Sequence, residues 1–463
     1  MELNQQIEQD KNDLVQSVQE LVRIRSIQGE AQEGKPFGAD VDEALNKALA
    51  MAEKMGFRTV NLDGYIGYAE YGEGEDYVGI LGHLDVVPEG DGWLYPPYAA
   101  EIHDGKIYGR GTMDDKAPII AALYGLKAIK DLQLPLKHKV RVIFGTNEES
   151  GCQEMEYYLA REKAPVSGFT PDAEYPIIYA EKGITFFDLV RKLEANHEGD
   201  VVIKTIKGGQ RANMVPDYCE AQIVTKDSAK LIKTIEEFAG STGYAVFAEP
   251  QDRGVVIKSK GVSAHGSLPH LGKNAIMQMM QLLEQLRLGD NDTTRFIAFL
   301  NKYVGMETDG KSFGVDLEDK ESGKLSFNVG IISLEDNEVR LGLNLRYPVT
   351  FCLEDMMDLI YKRLEGTGIQ VELNLHQQPL YFSVDHPLIK SLQKVYTEQT
   401  GMEATLLAIG GGTYAKEMPN IVAFGPIMPG EEDLDHQANE YIKIEHLVLN
   451  AKIYAHAIYE LAK

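Results

Sequence analysis

A chain of 463 residues is longer than one hydrophobic core ordinarily spans, so at least two domains are expected. Hydrophobic residues make up 44% and charged residues 25%, a globular composition, and the formal net charge of −25 argues against a nucleic-acid partner, which requires a basic face. The three cysteines (Cys152, Cys219, Cys352) are odd in number and far apart, which argues against a disulfide framework or a cysteine-type zinc site. No apolar run is long enough to span a membrane and the N-terminus lacks the pattern of a secretion signal, so a soluble, cytoplasmic protein is expected.

Ile7, Leu14, Val18, Leu21 and Val22 recur at helical spacing and predict a helix over 7–24; a second is predicted over 42–55, capped by Gly56. The apolar run over 77–81 reads as a buried strand leading into His83. A helix over 118–132 follows, with Pro118 near its first turn. The alternation of Val140, Val142 and Phe144 then predicts a strand over 139–145 that leads into Glu148 and Glu149. Helices alternating with strands indicate an α/β sheet. After about Gly183 the texture becomes α+β. Strands are expected over 186–190 and 221–224, helices over 227–238, 275–286 and 354–364, and a hairpin of 325–332 with 339–347 around Glu335-Asp336-Asn337. Near Pro387 the first style returns with a helix over 388–399, the cluster Gly410-Gly411-Gly412, a strand over 421–424 and a last helix from Ile444. The expected organisation is a discontinuous α/β domain of mixed sheet and flanking helices, 1–183 and 386–463, interrupted by a large inserted α+β domain, 184–385, of two similar lobes.

Five segments place metal-ligand residue types where this reading puts loops at strand ends, the usual position of sites in open α/β sheets. They are Gly82-His83-Leu84-Asp85-Val86-Val87-Pro88, Gly109-Arg110-Gly111-Thr112-Met113-Asp114-Asp115-Lys116, Gly145-Thr146-Asn147-Glu148-Glu149-Ser150, Pro171-Asp172-Ala173-Glu174-Tyr175-Pro176 and Asp433-Leu434-Asp435-His436-Gln437-Ala438-Asn439-Glu440. In extended chain residues i and i+2 face the same way, so His83 can bind a metal while Asp85 accepts a hydrogen bond from its other ring nitrogen. Singly each segment is a weak signal, since a lone His-x-Asp or a pair of acids is usually structural or solvated. Glu148 and Glu149 follow a buried strand, however, a poor place for idle carboxylates. The combination and its order carry the weight.

In that order the segments resemble the co-catalytic di-zinc metallopeptidase family of carboxypeptidase G, desuccinylases, acetylornithine deacetylases and carnosinases, over a stretch from about Leu21 to the C-terminus. The segment around Asp172 and the size of the insertion are most similar to the family's PepV-type dipeptidase branch. Lys116-Ala117 departs from the family's usual Lys-Gly, and only a small packing change is expected there. The resemblance implies that His83 and Asp172 hold one metal ion, that Glu149 and His436 hold another, and that Asp114 bridges the two. Asp115 would shape its loop through a cis peptide after the bridging aspartate. Zinc suits two histidines and three carboxylates, and manganese or cobalt are also accepted by such sites. Glu148 matches the general base, acting on a water activated between two metal ions, with Asp85 beside His83.

Within the insertion, Asn213, His265 and Arg346 match the family's substrate contacts. Arg346 would hold a carboxylate bidentately, and His265 with Asn213 would stabilise an oxyanion. Gly411, in the glycine cluster, is a candidate for close approach to substrate backbone; a phosphate-loop reading of that cluster is weak, because no Gly-Lys-Ser/Thr follows. The implied activity is a metal-dependent dipeptidase acting on dipeptides with a free N-terminus, with an N-acyl amino-acid deacylase as the alternative in the same family. The insertion's length further implies a monomer whose inserted domain serves as a lid over its own active site.

Overall fold

The strand Tyr77–His83 is buried along its whole length, the pattern of a strand covered on both faces. In the computed structural model, which describes residues 2–194, 201–286 and 288–463, it runs parallel to Lys139–Gly145 on one side and to Ser167–Thr170 on the other. Ile421–Ala423 extends the parallel set beyond Ser167–Thr170. The hairpin of Arg58–Leu62 and Ile66–Tyr71 joins antiparallel beyond Lys139–Gly145, so the sheet is mixed with a parallel centre. Helices Glu2–Val22, Lys116–Asp131 and Ile444–Ala462 pack against one another, and Lys116–Asp131 lies on the central strands. Gly125 permits the close approach of Lys116–Asp131 to Ile444–Ala462, because a Cβ there would stand 2.9 Å from the backbone nitrogen of Ala455. These elements belong to one unit, Met1–Tyr179 with Phe382–Leu407 and Thr413–Lys463. The α/β class expected from the sequence holds. The first helix starts earlier than its strongest periodicity because Leu3 prolongs the buried stripe.

The second unit is Ala180–Tyr381 with Ala408–Gly412. It is built on one eight-stranded sheet in the order Ala245–Gln251, Gly254–Lys260, Tyr218–Thr225, Val201–Gly208, Ser326–Glu335, Glu338–Tyr347, Gly183–Lys192 and Gln370–Gln377. Every pairing in it is antiparallel. The short pairing between Val201–Gly208 and Ser326–Glu335 joins its two halves. Leu341, Leu343 and Leu345 alternate into a core completed by Ile276, Met279, Met280 and Leu283 of helix Ala275–Gln285. The hairpin turn at Asp336-Asn337 has φ of 49° and 61°, the left-handed pair that suits the twist of two antiparallel strands and that Asp and Asn tolerate best. All three cysteines are free. Among the described residues no helix is long and apolar enough to cross a membrane.

Candidate active site

Three adjacent parallel strands end at the same edge of the sheet and carry the first ligand candidates. Register pairs His83 with Gly145, so Glu148 and Glu149 emerge beside His83; Ser167–Thr170 ends two residues before Asp172. His83 is fully buried, with Nε2 2.8 Å from Asp114 Oδ1 and 3.8 Å from Asp172 Oδ2. Asp114 sits in the loop before helix Lys116–Asp131, and the peptide that follows it is cis. Asp115 Oδ2 accepts a hydrogen bond from the His83 amide at 3.2 Å. That carboxylate occupies the space where a Cβ of residue 82 would stand, so Gly82 has no substitute there. Asp114 Oδ2 is 3.1 Å from His436 Nε2, which is also 3.1 Å from Glu149 Oε2. Asp114 therefore spans the two histidines, and all five residues expected as ligands fall in one cluster. Donor atoms of His83, Asp114 and Glu149 all lie within 4.8 Å of one another.

The electrostatics fit cations. His83 Nε2 is buried and makes no hydrogen bond, although two carboxylates face it. Burial, with the neighbouring acids adding to it, pushes the Asp172 carboxyl up to about 7 and raises Glu149. Burial likewise pushes Glu148 well above the ordinary carboxylate range. Burial disfavours the charge on Asp114 too, but His436 and His83 hold it well below that range. Burial also opposes charge on His83, yet the Asp114 carboxylate beside it raises it well above the usual imidazole value. His436 rises to about 11 through its bonds to Asp114 and Glu149. The cluster holds more buried negative charge than its own groups can neutralise, and its imidazole and carboxylate donors suit zinc-like divalent ions.

His83 Nδ1 meets Asp85 twice, its backbone carbonyl at 3.0 Å and its carboxylate at 3.5 Å. The carboxylate also accepts from the amides of Glu148 at 3.2 Å and Glu149 at 3.1 Å, fixing the segment that carries both glutamates. The reason is the path of the chain. The Leu84 amide donates to the Gly145 carbonyl and the Val86 amide to the Ser26 carbonyl, and this leads Asp85 across the end of the neighbouring strand.

Two supports were not legible in the sequence. Tyr414 donates to Glu154, whose carboxylate also accepts from the Asn147 amide, and the Tyr414 ring meets His83 edge-on at 6.2 Å. Lys116 is fully buried and donates to the Ile24 carbonyl at 2.7 Å, tying the Asp114 loop to the end of the first helix. A tyrosine in a glycine-rich stretch and a lysine at a helix start give no local signal of either role.

The second unit gathers the other expected residues. The Gly266 amide donates to the Asn213 carbonyl at 2.7 Å, and Met214 pairs with His265 in a short bridge. His265 Nδ1 lies 2.6 Å from Ser267 Oγ. Arg346 donates through Nη1 to the Gly410 carbonyl at 2.7 Å and through Nε to Asn344 Oδ1 at 3.2 Å; Gly411 follows directly. Arg346 is 4% exposed and makes no ion pair among the described residues, and burial lowers it to about 10. Its hydrogen-bond partners, a backbone carbonyl and a side-chain amide, are both neutral.

The family model described as Peptidase family M20/M25/M40 matches residues 79–460. The chain belongs to this family. It is a metal-dependent peptidase, a hydrolase. The Bacillus subtilis (strain 168) protein YtjP, provisionally named a dipeptidase, is 42% identical over 457 residues, which is 98% of each chain. A Staphylococcus aureus (strain USA300) protein with the same provisional name is 35% identical over 463 residues, 99% of this chain and 98% of its own. Among solved structures, aminoacylhistidine dipeptidase from Vibrio alginolyticus superposes with a TM-score of 0.60 at 14% identity, covering 97% of this chain and 96% of its own, a likeness of fold.

Proposed function

We propose that this family member is a dipeptidase with two divalent ions, zinc in the first instance, working on short peptides with a free amino end. The observation that carries the reading is Asp114, whose two carboxylate oxygens face His83 and His436 separately. In this reading His83 and Asp172 would hold one ion and Glu149 and His436 the other, with Asp114 as a ligand shared by both. Bound there, the ions supply Lewis-acid polarisation of the peptide carbonyl and lower the pKa of water.

The remaining chemistry belongs to the chain. Glu148, next to a ligand but not needed as one, accepts the proton of the attacking water and returns it to the leaving amine. Asp85 keeps Glu148 and Glu149 aimed by holding both amides. Arg346 receives the substrate's C-terminal carboxylate, a match of planar fork to planar anion. His265 and Asn213 stabilise the oxyanion, and Gly411 lets substrate backbone come close. The protein acts as a cytoplasmic monomer in this reading; light scattering at micromolar concentration checks the monomer.

The deciding experiment is a hydrolysis panel of dipeptides, tripeptides and N-acyl amino acids, with zinc, manganese and cobalt supplied in turn. Dipeptides are expected to be turned over fastest. Equal or better hydrolysis of N-succinyl or N-acetyl amino acids would replace the dipeptidase reading by the deacylase one.

A further inference from the structure

Glu440 is fully buried four residues beyond His436, and nothing in its immediate sequence demands an acid there. Its carboxylate accepts three hydrogen bonds. Oε2 takes Arg110 Nη1 at 2.6 Å; Oε1 takes the amides of Met113 at 2.7 Å and Asp114 at 3.3 Å. Its own carbonyl accepts from the Gly109 amide at 3.0 Å. The whole segment 109–114 is thus laid along one residue. Strand pairing explains why. Tyr441–Lys443 pairs antiparallel with Lys106–Tyr108, with Tyr441 opposite Tyr108. The zipper therefore ends where the two loops begin, and it brings Glu440 against the start of the Asp114 loop. Asn439 fastens the same segment to a third one, accepting from the Leu94 amide at 2.5 Å and donating to the Gly92 carbonyl at 3.2 Å.

We propose that Glu440 is a positioning residue: it sets the 109–114 loop so that Asp114 presents one oxygen to His83 and the other to His436. The inference rests on the two-metal reading above. Glu440 lies on the segment that supplies His436 and holds the backbone of Asp114, so it fixes the distance between the two halves of the site. Arg110, 1% exposed and ion-paired with no other residue among those described, anchors Oε2 of Glu440 and so leaves Oε1 pointed at the amides.

Two substitutions separate positioning from simple charge balance. Glu440→Asp keeps the charge beside Arg110 but shortens the reach to the Met113 and Asp114 amides. Glu440→Gln keeps the reach and one acceptor but loses the charge. Zinc and manganese uptake is measured by equilibrium dialysis and elemental analysis, with kcat, KM and the melting temperature of the metal-free protein alongside. Positioning predicts that Glu440→Asp weakens binding of the metal pair by about 10–100-fold, more than Glu440→Gln does. It also predicts that kcat at saturating metal falls by about tenfold while KM for a dipeptide stays within about twofold. Unchanged metal affinity and kcat in folded Glu440→Asp overturn the inference. So does the opposite ranking, in which Glu440→Gln melts early and neither variant alters metal uptake. If Glu440→Asp does not fold, Arg110→Lys makes the same comparison by withdrawing the Oε2 anchor, and the same loss of metal affinity is expected. Wild-type protein that takes up no divalent metal overturns both this inference and the reading beneath it, whereas normal wild-type uptake with unchanged variants overturns this one alone.

Discussion

The two clusters of functional side chains are electrically opposite. In the first unit, Asp114, Glu148, Glu149 and Asp172 crowd two histidines; burial opposes charge on all four carboxyls, and only on Asp114 do the histidines outweigh it. In the second, Arg346 is buried among a carbonyl and a side-chain amide, and burial lowers it to about 10. One cluster lacks positive charge and the other lacks negative charge. Unbalanced buried charge of either sign costs stability unless an opposite charge offsets it. The contrast matches the proposed roles: cations at the strand ends of the first sheet, a carboxylate at the hairpin of the second.

The largest expected effect comes from removing the cations. Chelation should abolish hydrolysis, with recovery on adding zinc, manganese or cobalt. It should also lower the melting temperature, since a ligand at about 100 times its Kd contributes about 2.7 kcal/mol to the folded state. Full activity after exhaustive dialysis against chelator, with elemental analysis showing no metal, would break the comparison at its first half. Next comes Glu148→Gln, which should reduce kcat by at least about 10²-fold with metal content near normal. Near-wild-type turnover would remove Glu148 from the reaction and leave the cluster a binding site only.

Much of the metal cluster was legible because its residues sit in short segments tied to strand ends. A buried strand running into His83, and another into Glu148 and Glu149, fixes where those side chains must emerge. The role of Glu440 was not legible, because it depends on a strand pairing across more than 300 residues of sequence, as the Arg110–Glu440 bond with its separation of 330 makes plain. Elements of the second unit divide in the same way. The hairpin of Ser326–Glu335 and Glu338–Tyr347 declared itself through its turn and its leucine alternation. The edge strands Ala245–Gln251 and Gln370–Gln377 are largely exposed, so no one-sided apolar pattern marks them. Helix Asp292–Tyr303 was hidden behind a polar start that the structure reveals as a capping box of Asn291 and Thr294.

The second half of the comparison is sharpened by Arg346→Ala. Losing a charge-assisted hydrogen bond to substrate costs about 1.5–3 kcal/mol, or about 10–150-fold in kcat/KM for dipeptides. Arg346→Lys should recover only part of it, since an ammonium cannot match the guanidinium fork. A dipeptide amide, which has no carboxylate, should be insensitive to both substitutions. If the amide and the free acid lose equally, Arg346 is supporting Gly410 and Asn344 and receives no anion.

The smallest effect is expected at Asp85, and it tests whether the first cluster depends on charge alone or also on aim. Asp85→Asn removes a negative charge from a region with too many, which by charge counting should help. It also leaves a single oxygen to serve two amides, those of Glu148 and Glu149, where two oxygens now serve one each. If aim dominates, kcat falls by about tenfold while KM hardly moves, as for other groups that orient a ligand without touching substrate. The His83 ring should keep its place, because the shorter Nδ1 contact, to the Asp85 backbone carbonyl, is untouched by the substitution. Metal uptake is then reduced on the Glu149 side and retained on the His83 side, so titration of the variant should resolve one strong and one weakened step where the wild type shows two strong ones. An unchanged kcat with both steps intact would mean that the amides of Glu148 and Glu149 hold their positions without Asp85. The remaining strain in the cluster would then be purely electrostatic.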